Sequence, residues 1–480
     1  MKKILAYTVV LYLALFAANV VNAQTYSVVY NFGSQSGDPF GHTNSGIIAQ
    51  GRDGNLYSGS GGGRFVNGAN FMVTPTGALT TLYSFTNSAD GSLPYGGLTL
   101  GTDGNFYGTA YSGNQGGAPF GTVFRMTPAG TLDTLYTFTD GNDGEIPLAP
   151  PIQGVDGNFY GTTCGWICAN GSLSSYGSIY KITPSGVFTT LHTCTTDCYG
   201  TRAPLVQATD GAFYGVAGSA GPTASGSVFK ITPAGAFTVL YNFTTNENGG
   251  AAGPLGPLIQ GSDGNFYGTA SVGGYGINPC GIVFRMTPKG ALTVIHSMKC
   301  AVEGGIPFGG VIQATDGNLY GVNSLSPGCA SCGNVFKITP SGVFSIIYEF
   351  SKSGSQGQAP YATLYQHTNG LIYGITFGGG TGSVDPNCAS CGVLFSLDIG
   401  ASLFVSLVSR AAKVGQTVQI LGQGFTGATA VSFNGVMANF KVVSDTFLAA
   451  SVPTGATSGP VTVTTPNGAL TSNKKFYVLP

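Results

Sequence analysis

The side chains with chemistry to offer fall into a few groups, and their spacing limits what each can do. Ten cysteines come first: Cys164, Cys168, Cys194, Cys198, Cys280, Cys300, Cys329, Cys332, Cys388 and Cys391. Two pairs read Cys-Ala-Ser-Cys, at 329–332 and 388–391. A Cys-x-x-Cys pair becomes a redox or zinc site when a helix N-terminus or further ligands lower its thiol pKa. No helical pattern precedes either copy, so structural disulfides are the expected use. Cys280 and Cys300 flank one hairpin, while Cys164/Cys168 and Cys194/Cys198 lie in neighbouring loops. The pairing within these groups stays open.

Acidic side chains form two sets. Asp53, Asp103, Asp156, Asp210, Asp263 and Asp316 each precede a glycine. Calcium would need roughly 6–8 oxygens, and no further carboxylates cluster beside them, so they read as turn residues. Asp140, Asp143, Glu145, Asp197, Glu247 and Glu303 fall mostly in longer connections. Two of these brought together would make a glycosidase pair. Solvated loop charges are the plainer reading.

Among the histidines, His42 and His367 have no Cys or His at ligand spacing. His192 and His296 occupy equivalent positions of a repeat, which argues for packing. Arg125, Lys181, Lys230, Arg285 and Lys337 recur at one strand position. They form either a cationic ring for an anionic glycan or stems that cover apolar surface with wet heads. Gln50, Gln153, Gln207, Gln260, Gln313 and Gln366 stand three residues before the turn, with Leu100 the exception. They are weak candidates for lining a central channel, with hydrogen bonds to neighbouring backbone as the structural reading. No residue is assigned as catalytic, cofactor-binding or metal-ligating, and no cofactor is implied.

These residues ride on a repeat. A tyrosine closes Asp-Gly-Asn-(Leu/Phe)-Tyr or a variant of it at Tyr57, Tyr107, Tyr160, Tyr214, Tyr267, Tyr320 and Tyr373, in steps of 50 to 54 residues. A second string, Gly-x-Val-Phe-(Lys/Arg)-(Ile/Met)-Thr-Pro-x-Gly, is seen whole at 121–130 and recurs around Phe71, Tyr180, Phe229, Phe284, Phe336 and Phe395. A proline opens each unit: Pro39, Pro94, Pro147, Pro204, Pro254, Pro307 and Pro360. Each unit holds four short apolar runs, in the second 97–100, 106–109, 122–126 and 132–138. Asp-Gly reads as a two-residue hairpin turn with glycine at positive φ, and Thr-Pro-x-Gly as a second turn. Four antiparallel strands per ~50 residues predict a β-propeller blade. The Tyr-x-Phe motif of the fourth strand appears at Tyr30-Asn31-Phe32, before any complete unit, and nothing like it follows Phe395. The fold expected is therefore all-β: a seven-bladed β-propeller over 24–400, closed by the N-terminal strand 26–32 beside 392–397. Alternating strands put both turns of each unit on one rim and the longer, cysteine-bearing loops on the other.

The two recurring strings resemble the GloVer tandem repeat of bacterial surface proteins over roughly residues 25–400. That resemblance implies export and surface display and supplies no catalytic residues. After Gly400 the period stops. Val414–Phe425, Val431–Gly435, Val452–Gly455 and Gly459–Gly468 resemble an IPT/TIG domain, an immunoglobulin-like β-sandwich, over 402–480. Such modules in secreted bacterial proteins act as spacers or docking surfaces. Arg410, Lys413 and Lys441 are too few and scattered for the basic loops of nucleic-acid-binding relatives.

Composition bounds location and partners. Met1-Lys2-Lys3, the apolar run 4–21 and Val21-Asn22-Ala23 read as a signal peptide over 1–23, and no later stretch reaches the ~18 apolar residues of a membrane span. Only 8% of residues are charged, with 18 Lys+Arg against 19 Asp+Glu. That excludes the basic surface of a nucleic-acid partner. The expected product is a secreted or cell-surface bacterial protein without enzymatic activity, presenting its long loops to an extracellular glycan or protein. A carbohydrate-active hydrolase or lyase is the alternative, and a structural surface component the third.

Overall fold

The computed structural model describes residues 24–41, 46–61, 67–112, 120–139, 141–165, 177–221, 225–244, 251–274, 279–384, 388 and 390–480. The segment 1–23, His42, Asp140, Cys168 and Glu247 lie outside them. The chain is nearly all β, built of many small antiparallel sheets, with one four-residue helix at Cys300–Glu303 among the described residues. No helix there is long and apolar enough to cross a membrane.

Residues 25–398 form seven sheets that follow the sequence repeat. In the third, Ile152–Gln153, Phe159–Thr163, Ser178–Ile182 and Phe188–Thr193 pair in chain order, all antiparallel. The fifth adds Ala251–Ala252 and Val272–Gly273, and the seventh adds Gln358–Pro360. The seventh takes its outer strand from the far end of the chain: Thr25–Asn31 pairs antiparallel with Val393–Asp398. That strand otherwise precedes all the repeats, so it ties the two ends of the repeat region together. No single sheet closes on itself.

Burial explains why so few charges are tolerated. The second strand of a sheet is buried at every position and the third at four of five, whereas the fourth is half-exposed. Both faces of the middle strands therefore meet neighbouring sheets. The apolar cores lie between sheets rather than within them. Tyr107 and Val123 of the second sheet pack with Phe159 and Tyr180 of the third, and Tyr373 and Ile375 of the seventh pack with Leu56 and Phe71 of the first. The recurring tyrosine is the keystone of each wedge. Tyr57 stacks on Phe106 at 4.1 Å, Tyr107 on Phe159 at 3.7 Å and Tyr160 on Phe213 at 4.0 Å between ring centroids, and Tyr214 lies tilted over Phe266 at 4.2 Å. In the remaining wedges Leu319, Ile372 and Leu56 take the phenylalanine's place.

The tyrosine rings are buried, but in the first six units the hydroxyl reaches the rim and donates to the turn aspartate; in the seventh, the Tyr373 hydroxyl accepts from Asn369 instead. Tyr267 donates to Asp263 at 2.9 Å, while Asn265 donates to the same carboxylate from its backbone at 3.1 Å and from its side chain at 2.7 Å. Burial, then this bond to a carboxylate, pushes the Tyr267 phenol up to about 12. The aspartates thus do turn chemistry. The turn itself corrects the two-residue expectation. Gly51 N–H donates to Asn55 and Gly54 N–H to Gly51, with Gly54 at φ 80°. That is a three-residue hairpin loop ending in a left-handed glycine, which leaves a bulge and strengthens the local twist.

Residues 405–479 form a separate unit. One sheet orders Ser406–Leu407, Thr417–Leu421, Phe447–Ser451 and Phe440–Ser444; a second orders Val436–Met437, Ala430–Phe433, Val461–Thr465 and Gly468–Thr471. Val418, Ile420, Val431, Phe433, Val463 and Phe476 make a core that contains no residue of the repeats.

Asp263→Ala removes three hydrogen bonds and leaves the Tyr267 hydroxyl unpaired at the edge of a dry core. It should cost about 1–3 kcal/mol in urea-melt stability. Asp263→Asn should cost less than half of that, because Asn369 already holds the Tyr373 hydroxyl at 3.0 Å in the seventh unit.

Candidate functional site

The strand order places the two ends of every sheet in different chemical settings. The turn rim carries the Asp-Gly loops, and there the glutamines act as couplers. The side-chain oxygen of each accepts a backbone N–H from the preceding sheet. Thr102 donates to Gln153 at 2.8 Å, Val155 to Gln207 at 2.9 Å and Thr209 to Gln260 at 3.0 Å. Ser262 donates to Gln313 at 2.9 Å and Thr315 to Gln366 at 3.0 Å. The succession then returns from the seventh sheet to the first, where Thr368 donates to Gln50 at 3.2 Å. Five of these amides also donate to the glycine carbonyl of their own turn, as Gln153 does to Gly157 at 3.0 Å. Gln260, Gln313 and Gln366 border a cavity of about 270 Å³, Gln153 and Gln207 border one of about 480 Å³, and Gln50 is buried in the seam.

The first and second sheets lack this coupler because Leu100 stands in its place. Arg52 substitutes, donating to the Thr102 carbonyl at 3.0 Å and to Gln419 of the C-terminal unit at 2.6 Å. Gln419 donates to the same Thr102 carbonyl. The Arg52 guanidinium lies 4.7 Å from the Phe447 ring centroid, and Thr446 donates to the Arg52 carbonyl at 2.7 Å. At the seventh unit Gln423 donates to Thr368 at 2.9 Å, and at the fourth Arg410 donates to the Gln207 carbonyl at 3.1 Å. The C-terminal unit therefore sits on the turn rim. Its contacts with Arg52 and Thr102 join residues more than 300 positions apart, and repeat spacing carries no signal for them.

His367 belongs to the seam between the seventh and first sheets. Its Nδ1 accepts the Asn369 N–H at 3.1 Å, so Nε2 carries the proton and donates to the Gly54 carbonyl at 2.9 Å. Burial is the main cause that holds its pKa below 6.5.

The loop rim carries the sulfur. Disulfides join Cys194–Cys198, Cys280–Cys300, Cys329–Cys332 and Cys388–Cys391. Cys164, buried at the same rim, is disulfide-bonded too. Among the described loop carboxylates, Asp38, Asp90, Asp143, Asp197 and Glu303 are each held by a fourth-strand aromatic. Tyr30 donates to Asp38 at 2.6 Å, Tyr83 to Asp90 at 3.1 Å and Tyr136 to Asp143 at 3.0 Å. His192 meets Asp197 at 2.9 Å and His296 meets Glu303 at 3.0 Å, so these two histidines do the tyrosine's work. Backbone N–H groups complete each clamp, as Thr139 and Gly141 do for Asp143 at 2.8 and 3.0 Å. Burial opposes ionisation of Asp90, but bonds from the Thr86 hydroxyl and backbone outweigh it and hold the carboxyl below its ordinary range. His192, Asp197 and Cys198 offer donor atoms within 4.8 Å of one another, yet Cys198 is spent in a disulfide.

Some of the third-strand cations are paired on the surface. Arg125 pairs with Asp133 at 2.7 Å and Lys230 with Asp210 at 2.8 Å. Among the described residues, the loop rim leaves several aromatic rings half-exposed. Tyr95 and Tyr111 meet edge to face at 5.7 Å, and Tyr361 lies 5.0 Å from Phe308 and 5.4 Å from Phe377. Tyr95, Phe308 and Tyr361 each follow an opening proline, the signal by which they were findable in the sequence. Arg202 and Glu145 lie near enough to Tyr111 to act on its charge.

A family model for the Gloeobacter/Verrucomicrobia repeat matches residues 14–165 and 151–385. The chain belongs to that family. No curated protein matches this repeat protein. Among solved structures it is similar to a fungal alcohol oxidase of the AA5 family in complex with copper, at 13% identity and TM-score 0.51, covering 92% of this chain and 98% of that one. It also overlaps a periplasmic gluconolactonase of Pseudomonas aeruginosa at 16% identity and TM-score 0.42, over 72% of this chain and 96% of that one. The first likeness concerns the fold of the Gloeobacter/Verrucomicrobia repeat protein, which is propeller-like, and carries neither copper nor substrate with it.

His367 gives a pH signature. The unfolded chain takes up a proton near pH 6.5, while the folded histidine stays neutral to lower pH. Stability should therefore fall as pH drops through 6.5 and level off below the folded value, with no contribution from this group above about 6.5. Urea melts from pH 8 to 5 should show a shallower acid slope in His367→Gln than in the wild type; parallel slopes would remove His367 from the seam.

Proposed function

We propose that this is an exported, non-enzymatic recognition protein whose loop rim engages an extracellular glycan, on a seven-bladed propeller carried with an immunoglobulin-like IPT/TIG module. The reading rests on one observation above the others. The C-terminal unit occupies the turn rim, so the opposite rim is the open one, and it bears the disulfides and the half-exposed aromatic pairs. Sugar rings present apolar C–H faces that stack on tyrosine, while hydroxyls take hydrogen bonds from neighbouring polar groups. Tyr95 with Tyr111, beside Glu145 and Arg202, supplies both kinds of contact. Cross-linked loops on a rigid frame lose little entropy when they bind.

The hydrolase reading is weaker because the carboxylates it needs are engaged one per loop: Asp143, Asp197 and Glu303 each serve an aromatic clamp. A structural surface role would leave the open rim without a ligand. Export is supported by the signal-like leader and the cysteines, which suit an oxidising compartment.

A glycan array probed with the full chain, paired with a turnover screen on the same glycans, separates these readings. Binding without turnover, weakened about tenfold or more by Tyr111→Ala or Tyr361→Ala, is the expected result. Product formation that disappears on replacing Asp143 or Glu145 would favour the enzyme. Binding only to a protein ligand would shift the partner class and keep the rim.

A further inference from the structure

The cavity on the turn side has a composition unlike the rest of the molecule. First-strand residues Val206, Ile259 and Ile312 form its apolar wall, with Gln260, Gln313 and Gln366 beside them. The C-terminal unit closes it with Arg410, Asn473 and Lys474. In a chain where 8% of residues are charged, two cations face one small space, and no carboxylate is among its lining residues.

Neither charge is neutralised elsewhere. Among the described residues no ion pair joins Arg410 or Lys474 to an acidic group. Arg410 donates to the neutral Gln207 carbonyl at 3.1 Å. Asp210 borders an adjoining cavity with Arg410, and Asp316 one with Lys474, but both are already engaged: Asp210 with Tyr214 and Lys230 at 2.8 Å each, and Asp316 with Tyr320 at 2.7 Å. Burial and then the nearby Arg410 charge bring the Lys474 ammonium down to about 8. Burial likewise lowers Arg410. Two neighbouring cations of one unit covered by the repeats, at a cost to both, are an arrangement that a negative ligand would relieve.

We propose that this cavity is a binding site for a small oxyanion with two negative charges, such as inorganic phosphate, sulfate or a short dicarboxylate, held between Arg410 and Lys474. The guanidinium offers a planar fork for paired oxygens and the ammonium a point charge. The side-chain amide of Asn473 and those of the bordering glutamines supply further donors. At about 270 Å³ the space falls below the usual range for drug-sized ligands, which limits the ligand to the anion and a few waters. Because the cations come from the C-terminal unit and the wall from the repeats, the anion would bridge the two and strengthen their docking. The site is independent of the loop rim, so its failure would leave the glycan reading untouched.

The test uses the full chain in a buffer free of multivalent anions. Thermal melts are followed while sodium phosphate, sulfate or succinate is added, against sodium chloride at matched ionic strength. The expected result is a saturable rise in Tm with at least one of the three, and calorimetry giving one site per chain. Lys474→Met should bind about tenfold more weakly or worse, yet melt no lower than the wild type without anion, because it removes an uncompensated charge. Line broadening of the inorganic phosphate ³¹P signal by the wild type reads binding without any variant. The proposal is overturned if all three anions act no differently from chloride, or if Lys474→Met responds as the wild type does.

Discussion

A side-chain amide that accepts from one sheet and donates within the next is the interaction on which this molecule turns. Small sheets of two-residue first strands, such as Ile152–Gln153, have too few ladder bonds to hold their inner edge. The glutamine that ends such a strand supplies the missing bonds, taking an N–H from the neighbouring turn and fixing its own turn glycine. The stacked tyrosine beside it does the apolar half of the work and sends its hydroxyl to the turn aspartate. Low charge follows from this design: middle strands buried on both faces have no place for an unpaired ion.

The arrangement gives the two rims different duties. Coupling the turns makes one rim flat and regular, which is the surface a second unit can sit on. The break at Leu100 shows how docking and coupling share residues. Arg52 replaces the absent glutamine and in the same geometry holds Gln419 and faces Phe447. On the other rim, the described loops are held by aromatic–carboxylate clamps and, in several units, a disulfide. Loops held singly are free to differ, which suits recognition.

Much of this was legible in the sequence, for a physical reason. Strand ends, turn glycines and apolar runs are local, and a repeated local pattern reports itself many times over. The pairing of 25–31 with the last sheet was legible because the Tyr-x-Phe motif appears before the first unit and is missing after Phe395. Long-range contacts were not legible. Nothing near Arg52 announces Gln419, and Arg410 reads as one of a few scattered basic residues until the pairing of 411–413 with 477–479 sets it beside Lys474. The clamps escaped notice because Asp143 and Asp197 look like ordinary loop charges until the tyrosine or histidine five to seven residues earlier is seen reaching them. The hairpin loop length was misjudged because Asp-Gly marks a turn without counting its residues.

Hydrogen exchange measured amide by amide tests the central claim most directly. Thr102, Val155, Thr209, Ser262, Thr315 and Thr368 lie in turns, and most of them are half or fully exposed, where an unbonded N–H exchanges almost freely. If the glutamines join sheet to sheet, these six amides should be protected together and exchange only with the unfolding of the repeat region. Rapid exchange at these positions, while the strand amides beside them stay protected, would contradict the account.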